Sequence, residues 1–159
     1  MKKFLFIIVF IGIQLSAVGQ SWSTTEHKSD AMKKTKAYTS YKFEDASGNQ
    51  FIYWTWSEKD GDFRIITNQD IFNYGERRFI AVNIGFYDNQ DNLLDKSTIT
   101  LKVEEDPQFA RVPYKKKTAV KTIKYLNENE GYVRIIAPLY GTTREYDIKV
   151  PCKKNMGVN

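Results

Sequence analysis

Short runs of alternating polar and apolar residues, separated by turn sequences, constrain the fold of this chain more than any other feature. In the clearest run, Tyr38 to Glu44, one side carries Thr39, Tyr41 and Phe43. Successive side chains of a β-strand point to opposite faces, so this run predicts a strand with one buried face. The segment that follows it, Asp45 to Asn49, is made of residues that tight turns select.

Further runs have the composition of strands, and one segment has the composition of a helix. The additional strands are predicted at 51–57, 63–67, 79–87, 97–103, 132–137 and 145–150. Between 118 and 127 the apolar residues recur at helical spacing, and Thr118 is a suitable N-cap. About seven strands with one short helix predict a mostly β fold, an antiparallel β-sandwich of the Ig-like type. A parallel α/β fold is excluded, because it needs a crossover helix between most strands.

The first residues of the chain have the order of features found in a bacterial Sec-type signal peptide. Two lysines precede the apolar stretch Phe4 to Ile13, and Ala17-Val18-Gly19 supplies small residues before a cleavage site. A helix that spans a bilayer needs about 20 apolar residues, which this stretch does not reach. We therefore expect residues 1–19 to be removed on export, leaving a periplasmic or extracellular protein without a transmembrane anchor.

Composition divides the rest of the chain into a lead-in, one domain and a tail. Residues 20–36 are polar and are expected to form a flexible lead-in, 37–152 hold the predicted strands and helix, and 153–159 form the tail. Apolar side chains make up 42% of the chain, which is enough for one core. The single cysteine, Cys152, excludes an internal disulfide and is expected to be a buried residue beside the last strand. An intermolecular disulfide or a reactive thiol is the alternative.

The strand predicted at 51–57 carries large apolar side chains on both faces. Phe51 and Tyr53 point one way, whereas Trp54 and Trp56 point the other. If the core buries one face, the other face needs a cover, such as the helix or a long loop. The alternative is an exposed aromatic platform, on which Trp54 and Trp56 stack against a sugar or a peptide side chain. Both tryptophans are therefore candidate ligand-binding residues.

A stripe of lysines on the predicted helix is the second candidate surface. Lys117, Lys121 and Lys124 are spaced so that they share one helix face. Such a stripe can bind an anionic polymer or anionic headgroups by neutralising their charges. A solvated helix face is the alternative, because lysines also keep a helix soluble. Removal of residues 1–19 takes away two lysines and lowers the net charge from +5 to +3. Such a small charge does not by itself imply nucleic-acid binding, and no nucleic-acid partner is expected.

The chain is poor in the residue types that most catalytic and metal sites need. Its one histidine, His27, lies in the polar lead-in, so His-cluster metal sites and Ser–His or Cys–His catalysis are disfavoured. Asp88, Asp91 and Asp95 lack the central glycine and distant glutamate of a calcium loop, and a hairpin turn also selects aspartate. We expect no metal and no cofactor.

These features favour an exported, non-enzymatic β-sandwich that binds an envelope protein or a glycan. Loops 68–77 and 104–117 are further contact regions in this hypothesis. The alternative function is a small carboxylate-dependent hydrolase of envelope polysaccharide, which needs only two acids about 5 to 10 Å apart in one cleft. A third hypothesis is an anionic-polymer binder that uses Lys115 together with the lysine stripe.

Overall fold

The computed structural model describes residues 21–29, 31–32, 36–57, 60–68, 78–105, 108–112, 117–139 and 144–156. The predicted signal peptide at 1–19 and all but the first residue of loop 68–77 lie outside the described residues. The described ranges contain nine β-strands, one α-helix and one 3-10 helix.

The strands form one antiparallel sheet. In chain order they are β1 Ser21–His27, β2 Tyr38–Glu44, β3 Gln50–Ser57, β4 Asp60–Ile66, β5 Phe79–Tyr87, β6 Leu93–Val103, β7 Phe109–Arg111, β8 Tyr132–Pro138 and β9 Glu145–Pro151. Helix α1, Lys117–Glu128, lies between β7 and β8 in the chain, and the 3-10 helix Lys153–Met156 follows β9. The order of strands across the sheet is β1-β2-β3-β4-β7-β6-β5-β8-β9, so β1 and β9 are its edges.

The prediction of a mostly β fold with one α-helix is confirmed, whereas the Ig-like sandwich is not, because the strands form a single open sheet. Two strands are not predicted by the sequence: β1 lies in the expected lead-in 20–36, and β7 lies in the connection 104–117. Neither has an alternating apolar pattern, so only backbone pairing with a neighbour defines them. The N-cap prediction for Thr118 is wrong, because α1 begins at Lys117.

The core lies on one face of the sheet, which we call the inner face, and the sheet curls so that its two ends meet across it. The Tyr146 hydroxyl on β9 donates a hydrogen bond of 3.0 Å to the Gln50 carbonyl on β3. The Trp22 indole N–H on β1 donates to the Pro151 carbonyl at the end of β9, at 3.1 Å. These contacts join residues that are 96 and 129 positions apart in the chain, and they close the core.

Helix α1 packs against β4 and β8 on the inner face. Its buried side chains are those of Ala119, Thr122, Ile123 and Leu126. The Tyr53 hydroxyl on β3 donates to Asn127 Oδ1 at 2.7 Å, and the Tyr125 hydroxyl donates to the Tyr87 carbonyl at 2.9 Å. The helix therefore covers the Tyr53 face of β3. The sequence also allows the helix to cover the opposite face of β3, which carries Trp54. The helix does not lie on that face.

Replacing Gly131 with alanine should destabilise the fold severely. Gly131 has a φ of 97°, and a Cβ there would overlap the Tyr87 carbonyl and the backbone of Asp88. The start of β8 would have to move away from the end of β5. Gly48→Ala is the matched control, because its φ is 79° but the nearest atom to an added Cβ is 3.5 Å away.

In the control only the left-handed strain of about 1–2 kcal/mol is expected. Thermal unfolding followed by circular dichroism should therefore give a clearly larger fall in Tm for Gly131→Ala than for Gly48→Ala. Equal falls would show that the close backbone approach at Gly131 does not limit stability.

Candidate functional site

A cleft of about 570 Å³ lies on the outer face of the sheet, where β4, β7 and β6 run side by side. Its walls are formed by Arg64, Arg78, Lys102, Val103, Glu104, Glu105, Phe109 and Arg111. The strand register explains why basic residues meet here: Arg64 pairs with Arg111, and Arg111 pairs with Lys102. Directly opposed residues of neighbouring strands share a face, so three cations from three strands line one surface. We call this surface the basic cleft.

Arg64 is the central residue of the basic cleft. Its guanidinium carbon lies 5.8 Å from the ring centroid of Trp54 on β3 and 5.8 Å from that of Phe109 on β7. Both distances are within the range of cation–π interactions. The Nε atom of Arg64 is buried and has no hydrogen-bond partner among the described residues. A buried donor without an acceptor costs about 1–3 kcal/mol, so a shift of the side chain that brings Nε against an acceptor on a ligand would be favourable.

The acidic residues of the basic cleft only partly balance its charge. Glu104 Oε1 forms an ion pair with Arg111 Nε, at a distance of 2.7 Å. Glu105, the next residue, also lines the cleft. Arg64, Arg78 and Lys102 therefore leave a surplus of positive charge. An anionic group is the ligand that such a surface attracts.

The structure describes the side chain of only one of the two candidate tryptophans. Trp54 is half-buried on the outer face, next to Arg64, so the structure places it at the edge of the basic cleft. Only the backbone of Trp56 belongs to the described residues. Trp54 is thus neither a fully exposed platform nor a residue of the main core.

The lysine stripe lies away from the basic cleft, on α1, and all three of its lysines are exposed. Lys121 forms an ion pair with Asp95 on β6, and its Nζ lies 4.9 Å from the centroid of the Phe86 ring. Lys124 forms an ion pair of 3.8 Å with Glu128, one turn further along α1. Acidic neighbours thus already balance two charges of the stripe. Lys115 lies outside the described residues.

The carboxylate of Asp88 is used by a turn. Asp88 Oδ1 accepts hydrogen bonds from the backbone N–H groups of Gln90 and Asn92, and Oδ2 accepts one from the Asn92 side chain. The side-chain and backbone hydrogen bonds from Asn92 lower the pKa of Asp88.

Among the described residues, no group of three or more His, Cys, Asp or Glu side chains could hold a metal ion. His27 lies on β1, where its ring stacks on Tyr38 at 4.1 Å.

Sequence reasoning missed Arg64, Lys102 and Arg111, because they lie on three different strands whose pairing the sequence does not reveal. The only signal that could have found them is the pairing of β4 and β6 with β7, a three-residue strand. Such a short strand has no recognisable pattern of its own.

Comparisons of this chain with protein-family models, with curated proteins and with solved structures found no match. In the part of the chain that the structure describes, no helix combines the length and the apolar character needed to cross a membrane. Function must therefore be inferred from the chemistry of the site.

Cys152 should be unreactive as long as the protein is folded. Its side chain is fully buried after β9, and burial raises its pKa to about 12. Since the thiolate is the nucleophile, a disulfide reagent such as DTNB should react at pH 8 only as fast as the protein unfolds. A Ser23→Cys, Cys152→Ser variant places one thiol at an exposed position of β1 and should react at once. Fast labelling of native wild-type protein would instead support a reactive thiol.

Proposed function

We propose that this protein is exported and acts as a non-enzymatic binding protein for an acidic glycan of the cell envelope. The order of charged, apolar and small residues over 1–19 supports export. The observation that carries the proposed ligand class is Arg64, a cation with a buried, unsatisfied donor between two aromatic rings. A carboxylate or sulfate group supplies the missing acceptor.

The basic cleft has the components that recognition of an acidic sugar needs. Arginine presents its N–H donors in a planar fork that matches a carboxylate, and such charge-assisted hydrogen bonds are the strong ones. Phe109 and Trp54 add apolar ring surface, against which the carbon face of a sugar can stack. A volume of about 570 Å³ is typical of small-ligand sites.

The geometry of the cleft supports binding better than hydrolysis. A glycosidase needs two carboxyl groups on either side of the bond that it cleaves. The two acids of the cleft, Glu104 and Glu105, are consecutive in the chain, and Glu104 is already paired with Arg111. The alternative function is a hydrolase that acts on envelope polysaccharide. No feature of the described residues in the basic cleft favours it.

We propose in addition that the curl of the sheet gives this fold the two-layered core of a sandwich. The hydrogen bond from Tyr146 on β9 to Gln50 on β3 supports this, because it joins strands from opposite ends of the sheet. An Ig-like arrangement is the finer form of the same proposal.

Arg64→Met should weaken the binding of an acidic oligosaccharide by about tenfold or more. Methionine keeps most of the apolar stem but removes the donors, and hydrogen bonds to charged groups contribute about 1.5–3 kcal/mol. Residues 20–159 should be titrated with fragments of polygalacturonate or heparin at low ionic strength and followed by calorimetry. Lys124→Gln is the matched control, because it also removes one positive charge but lies on α1, and its affinity should be unchanged.

Three outcomes would contradict the proposal. Wild-type affinity in a folded Arg64→Met protein would exclude the basic cleft as the site. Loss of binding in Lys124→Gln would transfer the site to the lysine stripe. Binding of acidic peptides without binding of glycans would replace the glycan with a protein partner, and shortened products in the same mixtures would indicate hydrolysis.

A further inference from the structure

A cluster of aromatic rings on the inner face, away from the basic cleft, surrounds a cation that the chain itself supplies. The rings belong to Trp22 on β1, Tyr41 on β2 and Tyr53 on β3, and we call them the aromatic cage. The cation is Lys153, the first residue of the 3-10 helix. Its Nζ lies 3.0 Å from the Tyr41 ring centroid, 4.8 Å from that of Tyr53 and 5.7 Å from that of Trp22.

The aromatic cage is built by the register of the strands. Tyr41 and Tyr53 are directly opposed, and their rings stack with centroids 4.7 Å apart. The Trp22 ring meets the Tyr53 ring at an angle of 83°, with centroids 5.8 Å apart. The Trp22 N–H is bonded to the Pro151 carbonyl, and the Tyr53 hydroxyl is bonded to Asn127. These contacts hold two of the rings in place without the help of the lysine.

The ammonium group of Lys153 is held by ring faces alone among the described residues, since none of their acidic side chains forms an ion pair with it. Burial lowers the pKa of Lys153 to about 8, so the group is still charged at pH 7. A primary ammonium is strongly hydrated, which makes its transfer into such a cage costly. Ring faces without a carboxylate suit a quaternary ammonium better, and recognition of that group is a known use of aromatic cages.

The backbone that precedes Lys153 is anchored without the help of the lysine side chain. The preceding residue, Cys152, is fully buried, and its N–H donates to the Gly131 carbonyl at 2.9 Å. The C-terminal segment is therefore anchored before Lys153. Rotation of this one long side chain empties the cage while β9 stays paired with β8.

We propose that the aromatic cage is a binding site for a small quaternary ammonium compound, and that Lys153 is its internal competitor. A ligand can enter only while the lysine is out, so the apparent affinity is the intrinsic affinity multiplied by the fraction of empty cages. Removing the lysine should therefore strengthen binding, whereas removing a ring should abolish it. This site does not depend on the proposed function of the basic cleft.

The test is a titration with choline and tetramethylammonium at constant ionic strength, followed through the methyl proton resonances of the ligand. Lys153→Ala should bind choline about tenfold or more tightly than the wild type, a difference of about 1.4 kcal/mol. Lys154→Ala, which removes an exposed neighbouring charge, should bind like the wild type. Lys153→Ala combined with Tyr41→Leu should lose the gain, and 3,3-dimethylbutanol, the uncharged analogue of choline, should bind much more weakly.

The wild-type protein offers a second test that requires no variant. Because burial lowers the pKa of Lys153 to about 8, its neutral amine is favoured inside the cage over the charged ammonium. Raising the pH from 7 to 9 therefore increases the fraction of cages that Lys153 occupies, while the charge of tetramethylammonium does not change. The phenols of Tyr41 and Tyr53 belong to the rings that face Lys153, and burial raises the pKa of Tyr53 well above its usual value. Displacing Lys153 into water at pH 9 requires uptake of a proton, so tetramethylammonium should bind more weakly at pH 9 than at pH 7.

The proposal is wrong if folded Lys153→Ala binds choline no better than the wild type does. It is also wrong if the uncharged analogue binds equally well, since the site would then be only an apolar cavity. A gain that persists with Tyr41→Leu would place the ligand elsewhere. If Lys153→Ala does not fold, an affinity of the wild type that does not fall between pH 7 and pH 9 decides against the cage.

Discussion

The burial of one continuous face of a single sheet is the constraint on which the rest of this structure depends. Among the described strands β1 and β9 are the edges of the sheet, and its inner face carries large apolar side chains over most of the strands. Such a face must be covered, and α1 is too short to cover it alone. The sheet therefore covers itself by curling, and the bonds from Tyr146 to Gln50 and from Trp22 to Pro151 mark where its two ends meet.

This closure determines where ligand chemistry can lie. The inner positions of the central strands are used by the core, which leaves the outer face and the line along which the two ends of the sheet meet. The basic cleft occupies the outer face over the shortest strand, β7. The aromatic cage occupies the meeting line, where rings from β1, β2 and β3 face the segment that follows β9. Each site is thus made from strands that are neighbours in the sheet.

The sequence predicts most strands and the helix well, but it does not predict which strands pair with each other. The reason is physical. Alternation tells which face of a strand is buried, and so the seven patterned strands and α1 are confirmed within a few residues. It does not tell which strand lies next to which, since any strand can offer backbone hydrogen bonds to any other. The basic cleft depends on that missing information, because Arg64 and Lys102 meet only through β7. The aromatic cage could not be predicted from the sequence for another reason. Trp22 lies in a polar segment and Lys153 lies in the predicted tail, and neither segment has a periodic pattern.

The two proposed sites would use a cation in opposite ways, and the difference follows from the two side chains. In the basic cleft, the rings of Trp54 and Phe109 flank the guanidinium of Arg64, yet its Nε donor still lacks an acceptor. Ring faces stabilise a positive charge but accept hydrogen bonds only weakly. The Nε donor of Arg64 therefore still lacks a strong acceptor, which an oxyanion could supply. Lys153 is a compact charge on a flexible stem, and it can enter or leave a ring cluster by rotation alone. Arg64 is therefore suited to bind an anionic ligand, whereas Lys153 is suited to compete with a cationic ligand for the aromatic cage.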